Sequence, residues 1–153
     1  MAAMAGPLVA AILVLLLAGC ATAQDDPVPA ACLDEPATIV RALERAPGPV
    51  TLAGGTRLST CVSRARADGD LQALGVSLTT VADTLRGRVA SEPGAAVGLG
   101  YLAGAVRAGA AANEGLAAEL ARQIERATAL AGDAPPATRA ALARGLHAGG
   151  ESG

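Results

Sequence analysis

The chain has 153 residues, of which 52% are hydrophobic and 17% are charged, and its formal net charge is −2. This charge balance excludes a strongly basic nucleic-acid binder, because such a protein needs a concentrated basic face. The length allows one domain with its own core. Phe and Trp are absent and Tyr101 is the single aromatic residue, so we expect a core of Leu, Val, Ile and Ala between closely packed helices.

An uncharged apolar run lies near the start of the sequence. Residues 8–18 are all Leu, Val, Ile or Ala, as in the apolar region of a secretory signal. The run ends in Leu17-Ala18-Gly19-Cys20, which resembles the lipobox of bacterial lipoproteins. The resemblance implies that residues 1–19 are a signal peptide, and that Cys20 becomes the mature N-terminus and carries diacylglycerol. It also implies a place on the outer face of the bacterial plasma membrane, or in the outer membrane of a diderm source.

Two other interpretations of this run stay open. Residues 1–24 contain no charged side chain and are numerous enough to span a bilayer as an uncleaved anchor. However, a single span needs about 20 predominantly apolar residues, and the densely apolar part is only about half that long. The run could also be an apolar tail without a targeting role.

The next segment predicts a flexible tether and a disulfide. Residues 20–31 contain two prolines and no apolar periodicity, so we expect the lipidated cysteine to be followed by a non-helical tether. If Cys20 carries lipid, Cys32 and Cys61 remain as a pair, and the oxidising conditions outside the cell favour their bridging. The alternative is a pair of buried, reduced thiols.

Residues 32–148 predict an all-α domain, a compact bundle of about five to six short helices. Apolar residues recur there at spacings of three and four, and turns rich in Gly, Pro and Asp separate the segments. Residues 50–55 stay unassigned. The predicted segments are a helix capped by Asp34, a helix over 58–65, one capped by Asp70 over 71–89, an apolar helix over 95–106, one capped by Asn113 that runs to Ala131, and a final helix after Asp133.

The helix over residues 95–106 is predicted to lie at the centre of the bundle, because it is apolar around most of its circumference. A glycine inside a helix costs about 1 kcal/mol relative to alanine. Gly100 and Gly104 therefore indicate a strip where a neighbouring helix packs closely. The same spacing is typical of dimerising membrane helices, but the segment between Glu92 and Arg107 is too short to cross a membrane.

Sequence patterns of catalysis and metal binding are absent. His147 is the single histidine, and we expect it in a fraying end, with a disordered tail over 149–153, that could not hold a nucleophile–base pair. Asp68-Gly69-Asp70 lacks the remainder of a calcium loop, and the cysteines and histidine lack zinc-site spacing.

Tyr101 is expected in the core or at its rim, or as an anchor for a partner. We expect no enzyme activity, no metal and no cofactor beyond the diacylglycerol on Cys20.

The predicted function is that of a membrane-anchored, non-catalytic lipoprotein that binds or scaffolds another protein of the cell envelope. Its partners would be membrane lipid, through Cys20, and an envelope protein, but not nucleic acid. Two alternatives stay open: a carrier of a small apolar ligand between the helices, and an envelope enzyme without a recognisable motif. An exposed apolar groove would favour the binding module. An enclosed cavity above about 300 Å³ would favour the carrier, and polar groups that converge in a cleft would favour the enzyme.

The lipobox makes a direct prediction about processing. Cys20→Ser removes the sulfur that would accept diacylglycerol, so a bacterial host should accumulate an unlipidated precursor that keeps residues 1–19. Intact-mass spectrometry of the wild-type and variant proteins measures both the lipidation of Cys20 and the removal of residues 1–19. A wild-type protein cleaved at another position, or one with an unmodified Cys20, would contradict the prediction.

Overall fold

The computed structural model describes residues 26–111, 113, 115–129 and 134–153. Cys20 and the segment that resembles a lipobox lie outside these ranges. Within them the protein is all-α, as predicted, with six α-helices and no strand, and none of these helices is both long and apolar enough to cross a membrane. The helices are α1 (Pro36–Leu43), α2 (Leu58–Arg64), α3 (Asp68–Arg88), α4 (Pro93–Ala110), α5 (Leu116–Ala129) and α6 (Pro136–Ser152), with short 3₁₀ helices at Ala30–Leu33 and Ala53–Gly55.

Two helix starts differ from the predicted ones. The N-cap of α1 is Glu35 rather than Asp34, and proline occupies the first turn, where its missing N–H has no cost. The helix α3 begins at Asp68 rather than after Asp70. The stretch Asp68-Gly69-Asp70 is therefore the first turn of a helix, where carboxylates interact favourably with the helix dipole.

The predicted cap Asn113 has a different role. The helix α5 begins at Leu116, and the Asn113 side-chain amide donates hydrogen bonds to the carbonyl oxygens of Ser63, at 3.1 Å, and Val62, at 3.4 Å. Asn113 thus joins the α4–α5 connection to the end of α2. The predicted cap Asp133 lies outside the described residues.

The ends of the domain also differ from the prediction. The disordered tail predicted over residues 149–153 is wrong, because α6 continues to Ser152 and Gly149 is buried. The Ser59 hydroxyl donates a hydrogen bond to the Gly153 carbonyl oxygen. At the other end, Val28 packs against the core, so the second half of the predicted tether belongs to the domain.

The helix α4 is the centre of the bundle. It contacts each of the other five helices, and every residue from 95 to 106 is buried. Tyr101 is fully buried; its hydroxyl accepts a hydrogen bond from the Val50 N–H at 3.2 Å and lies 3.1 Å from the Ser152 hydroxyl. Tyr101 is therefore a core residue and is not available as a surface anchor.

Glycines bring α4 and α6 into backbone contact. A Cβ atom at Gly100 would lie 2.8 Å from the Leu146 nitrogen, and one at Gly104 would lie 2.7 Å from the Gly150 nitrogen. Each would be closer still to a carbonyl oxygen of α6. The strip that the spacing on α4 predicts thus faces the C-terminal helix.

The helix α6 contributes a matching pair of glycines that the sequence analysis did not single out. A Cβ at Gly145 would lie 2.8 Å from the Tyr101 nitrogen, and one at Gly149 would lie 2.7 Å from the Tyr101 carbonyl carbon. These glycines are also four residues apart, and this spacing was the available signal.

The predicted disulfide between Cys32 and Cys61 is confirmed, with a Cα–Cα distance of 5.5 Å. Both cysteines are fully buried. The bond ties the first 3₁₀ helix to α2, so the point where the chain enters the domain is covalently held.

The glycine contacts predict that a single added methyl group strongly lowers the stability of the domain. Gly145→Ala should lower the free energy of unfolding by about 3 kcal/mol, because the methyl meets backbone atoms of α4 that no side-chain rotation can move. Gly150→Ala is the matched control, since a Cβ there has no atom within 4 Å and alanine favours the helix by up to about 1 kcal/mol. Denaturant melts of the two variants measure the difference. Equal stability of the two would show that the helices do not approach this closely.

Loss of the disulfide should also destabilise the domain. Its loop spans 29 residues, and in the chain-entropy model a loop of that length contributes about 3–4 kcal/mol. Thermal melts of the oxidised protein with and without reductant should show a clear fall in Tm on reduction. A Cys32→Ser/Cys61→Ser variant should melt like the reduced protein whether or not reductant is present, and a reductant effect on this variant would contradict the assignment.

Candidate functional site

A groove lies on the surface between α3 and α5. The two helices approach where Gly75 faces Leu120, with a Cβ position at Gly75 only 3.8 Å from the Leu120 Cδ1 atom. The groove is open to solvent and has a volume of about 670 Å³. Its lining residues are Asp68, Leu71, Gln72, Gly75, Val76, Thr79, Thr80, Leu116, Glu119, Leu120 and Gln123.

The groove exposes apolar side chains on both of its walls. Val76 on α3 is 66% exposed and Leu116 on α5 is 55% exposed. Among the described residues, the only other large hydrophobic side chain with comparable exposure is Leu33, which does not line the groove. Exposed apolar surface that is gathered in one place marks a site of interaction more often than scattered residues do.

The polar rim of the groove is held in place on the α5 side. Glu119 accepts a hydrogen bond from Arg122 at 3.0 Å and another from Arg126 at 3.2 Å. The Arg122 hydrogen bond, followed by that from Arg126, lowers the pKa of Glu119 below its ordinary value. The two guanidinium groups thus favour the charged form of the Glu119 carboxylate.

Two hydroxyl groups on α3 are buried without a hydrogen-bond partner in the described part of the chain, those of Ser77 and Thr79. The neighbouring Thr80 differs, because its hydroxyl donates to the Val76 carbonyl oxygen at 2.8 Å. A buried hydroxyl without a partner is uncommon and calls for an explanation. Thr79 lines the groove, so one of the two lies at the candidate site.

A second depression, between α1 and α3, has a different character. Its volume is about 610 Å³, and its lining includes Arg41, Glu44 and Arg88. Neither exposed apolar side chain of the first groove contributes to it. The apolar exposure therefore distinguishes the α3–α5 groove from this charged depression.

Except for Asp68, the residues singled out in the sequence do not line the groove. Cys32 and Cys61 form the disulfide, and Gly100 and Gly104 contact α6. His147 is exposed on α6, where its Nε2 atom lies 3.5 Å from a Glu151 carboxylate oxygen. Nowhere in the described ranges do three or more His, Cys, Asp or Glu residues form a group that could hold a metal ion.

The sequence held a weak signal for the groove. Leu116 continues the apolar stripe of α5 by its spacing from Leu120, which favours burial, yet it is 55% exposed. Val76 lies off the buried face of α3, among polar residues. An isolated valine on a polar face was the available indication.

The chain matches no protein-family model, and neither a curated protein nor a solved structure shows significant similarity to it.

Proposed function

We propose that this protein is an exported lipoprotein, anchored through diacylglycerol on Cys20, that binds another protein of the cell envelope in the α3–α5 groove. The observation that carries the proposal is the exposure of Val76 and Leu116 on opposite walls of one groove of about 670 Å³. Export is supported by the resemblance of Leu17–Cys20 to a lipobox. The Cys32–Cys61 disulfide is a second support, since such bonds persist in oxidising compartments.

The shape of the groove suits a helical segment of a partner. Its α3 wall extends from Asp68 to Thr80, which is about 18 Å at the helical rise of 1.5 Å per residue. About three turns of a second helix would fit along it. Amphipathic helices commonly bind in such grooves through apolar residues at helical spacing.

The two alternative functions have less support from this geometry. A carrier of a small apolar ligand needs an enclosed site that removes most of the ligand from water, whereas the groove is open. The glycine contacts between α4 and α6 close the interior rather than open it. For an enzyme, the groove offers amides, threonine hydroxyls, the exposed Asp68 carboxylate and the arginine-paired Glu119. Its lining includes no serine, cysteine or histidine, so it lacks the usual pair of a nucleophile and a base.

The proposal predicts that apolar contacts in the groove carry the binding. When a Val76→Ser/Leu116→Ser variant is purified from native membranes in mild detergent, the amount of partner protein bound to it should fall at least tenfold. A tenfold loss of affinity corresponds to about 1.4 kcal/mol of binding free energy. Leu33→Ser is the matched control, because it removes a similarly exposed apolar side chain outside the groove. Quantitative mass spectrometry of the retained proteins measures the loss, and thermal melts show that each variant is folded. A partner lost with Leu33→Ser but retained by the groove variant would contradict the assignment.

A further inference from the structure

The chain enters the domain at one end of the bundle. The Asp26 carboxylate lies 3.3 Å from the Arg64 guanidinium group, at the C-terminal end of α2. Cys20 precedes Asp26 by six residues, and a fully extended chain covers at most about 3.6 Å per residue. The chain therefore covers at most about 22 Å between Cys20 and Asp26, whose carboxylate pairs with Arg64.

The groove starts at this same end. Its α3 wall begins at Asp68, just after Arg64 in the chain, and its α5 wall begins at Leu116. The Asn113 amide holds the start of α5 beside α2 through the Ser63 carbonyl oxygen. A Cβ at Gly98, early in α4, would lie 3.6 Å from Leu85, late in α3, and one at Gly109, late in α4, would meet Ser59 of α2. The helix α4 therefore runs back towards the Arg64 end, where α5 starts, and Gly75 faces Leu120 seven residues into α3 and four into α5. Both walls therefore extend away from the point where the chain enters.

We propose that the groove binds the membrane-proximal amphipathic helix of an integral membrane protein. This inference rests on the proposed function, because it requires both the anchor on Cys20 and binding in the groove. With the anchor in the bilayer, the Asp68–Leu116 end of the groove lies nearest the lipid surface. The chain covers at most about 22 Å between Cys20 and Asp26, and the groove itself is about 18 Å long.

The residues of the groove define the chemistry of the helix that fits it. One apolar stripe would contact Val76, Leu116 and Leu120. A basic side chain at the end nearer the membrane would complement the exposed Asp68 carboxylate. Polar, uncharged residues would face Gln72 and Gln123 on the rim. Two chains anchored in one bilayer also meet at a high effective concentration, so a short contact of this kind is sufficient.

Site-specific photo-cross-linking tests the inference on the full, lipidated chain in its native membrane. The probe is p-benzoylphenylalanine in place of Val76, and the matched control carries it in place of Arg86, which is exposed on the same helix outside the groove. If the first variant does not accumulate, the exposed Gln72 on the groove rim takes the place of Val76. Mass spectrometry identifies the cross-linked peptide and the modification of Cys20.

We expect the groove probe to cross-link at least tenfold more than the control, to a peptide within about 20 residues of a membrane-spanning segment, since a helix of that length covers 30 Å. A cross-link to a second copy of this chain, to a protein without a membrane span, or to a segment farther from its span would overturn this inference and leave groove binding intact. A Cys20 without lipid, or no cross-linking specific to the groove, would overturn the proposed function as well.

Discussion

The contact between α4 and α6 is the constraint on which the rest of the structure depends. A chain without Phe or Trp cannot fill wide gaps between helices with large side chains, yet a protein interior must be close-packed. Here four glycines remove the side chains from the interface, and the two backbones pack directly against each other. The residues that weaken each helix in isolation therefore allow the pair to pack without voids.

The other helices are arranged around this pair. The end of α6 is held by the hydrogen bonds of Ser152 with Tyr101 and of Gly153 with Ser59. A Cβ at Gly109 would meet α2 at the Val62 Cβ, at 2.8 Å, so glycine also sets the approach of α2 to α4. The core of the bundle is thus narrow and is built from backbone contact as much as from side-chain burial.

A second set of contacts is concentrated on α2. Cys61 holds the first segment of the domain covalently, Arg64 pairs with Asp26, and the Ser63 carbonyl oxygen accepts the Asn113 amide. The α3–α5 pair has a looser contact, in which even a Cβ added at Gly75 would only reach ordinary van der Waals separation from Leu120. The firmly held part of the bundle is next to the chain entry, and the groove that exposes apolar surface extends from it. Under the proposed function, this firmly held end would support the groove as a binding surface near the membrane.

The sequence by itself determined the features that depend on local or covalent chemistry. Apolar periodicity located the helices, the pair of cysteines left after Cys20 indicated the disulfide, and the uncharged run over residues 95–106 indicated the central helix. Each of these follows from residues within one segment, or from cysteine number and compartment. The tertiary structure decided which helix Gly100 and Gly104 face, that Asn113 bonds to α2 instead of capping α5, and that α6 continues to Ser152. It also decided that Leu116 is exposed, and hence that a groove exists. The spacing of residues along a helix shows that one face carries apolar or small side chains. Whether a neighbouring helix covers that face depends on where the other helices pack.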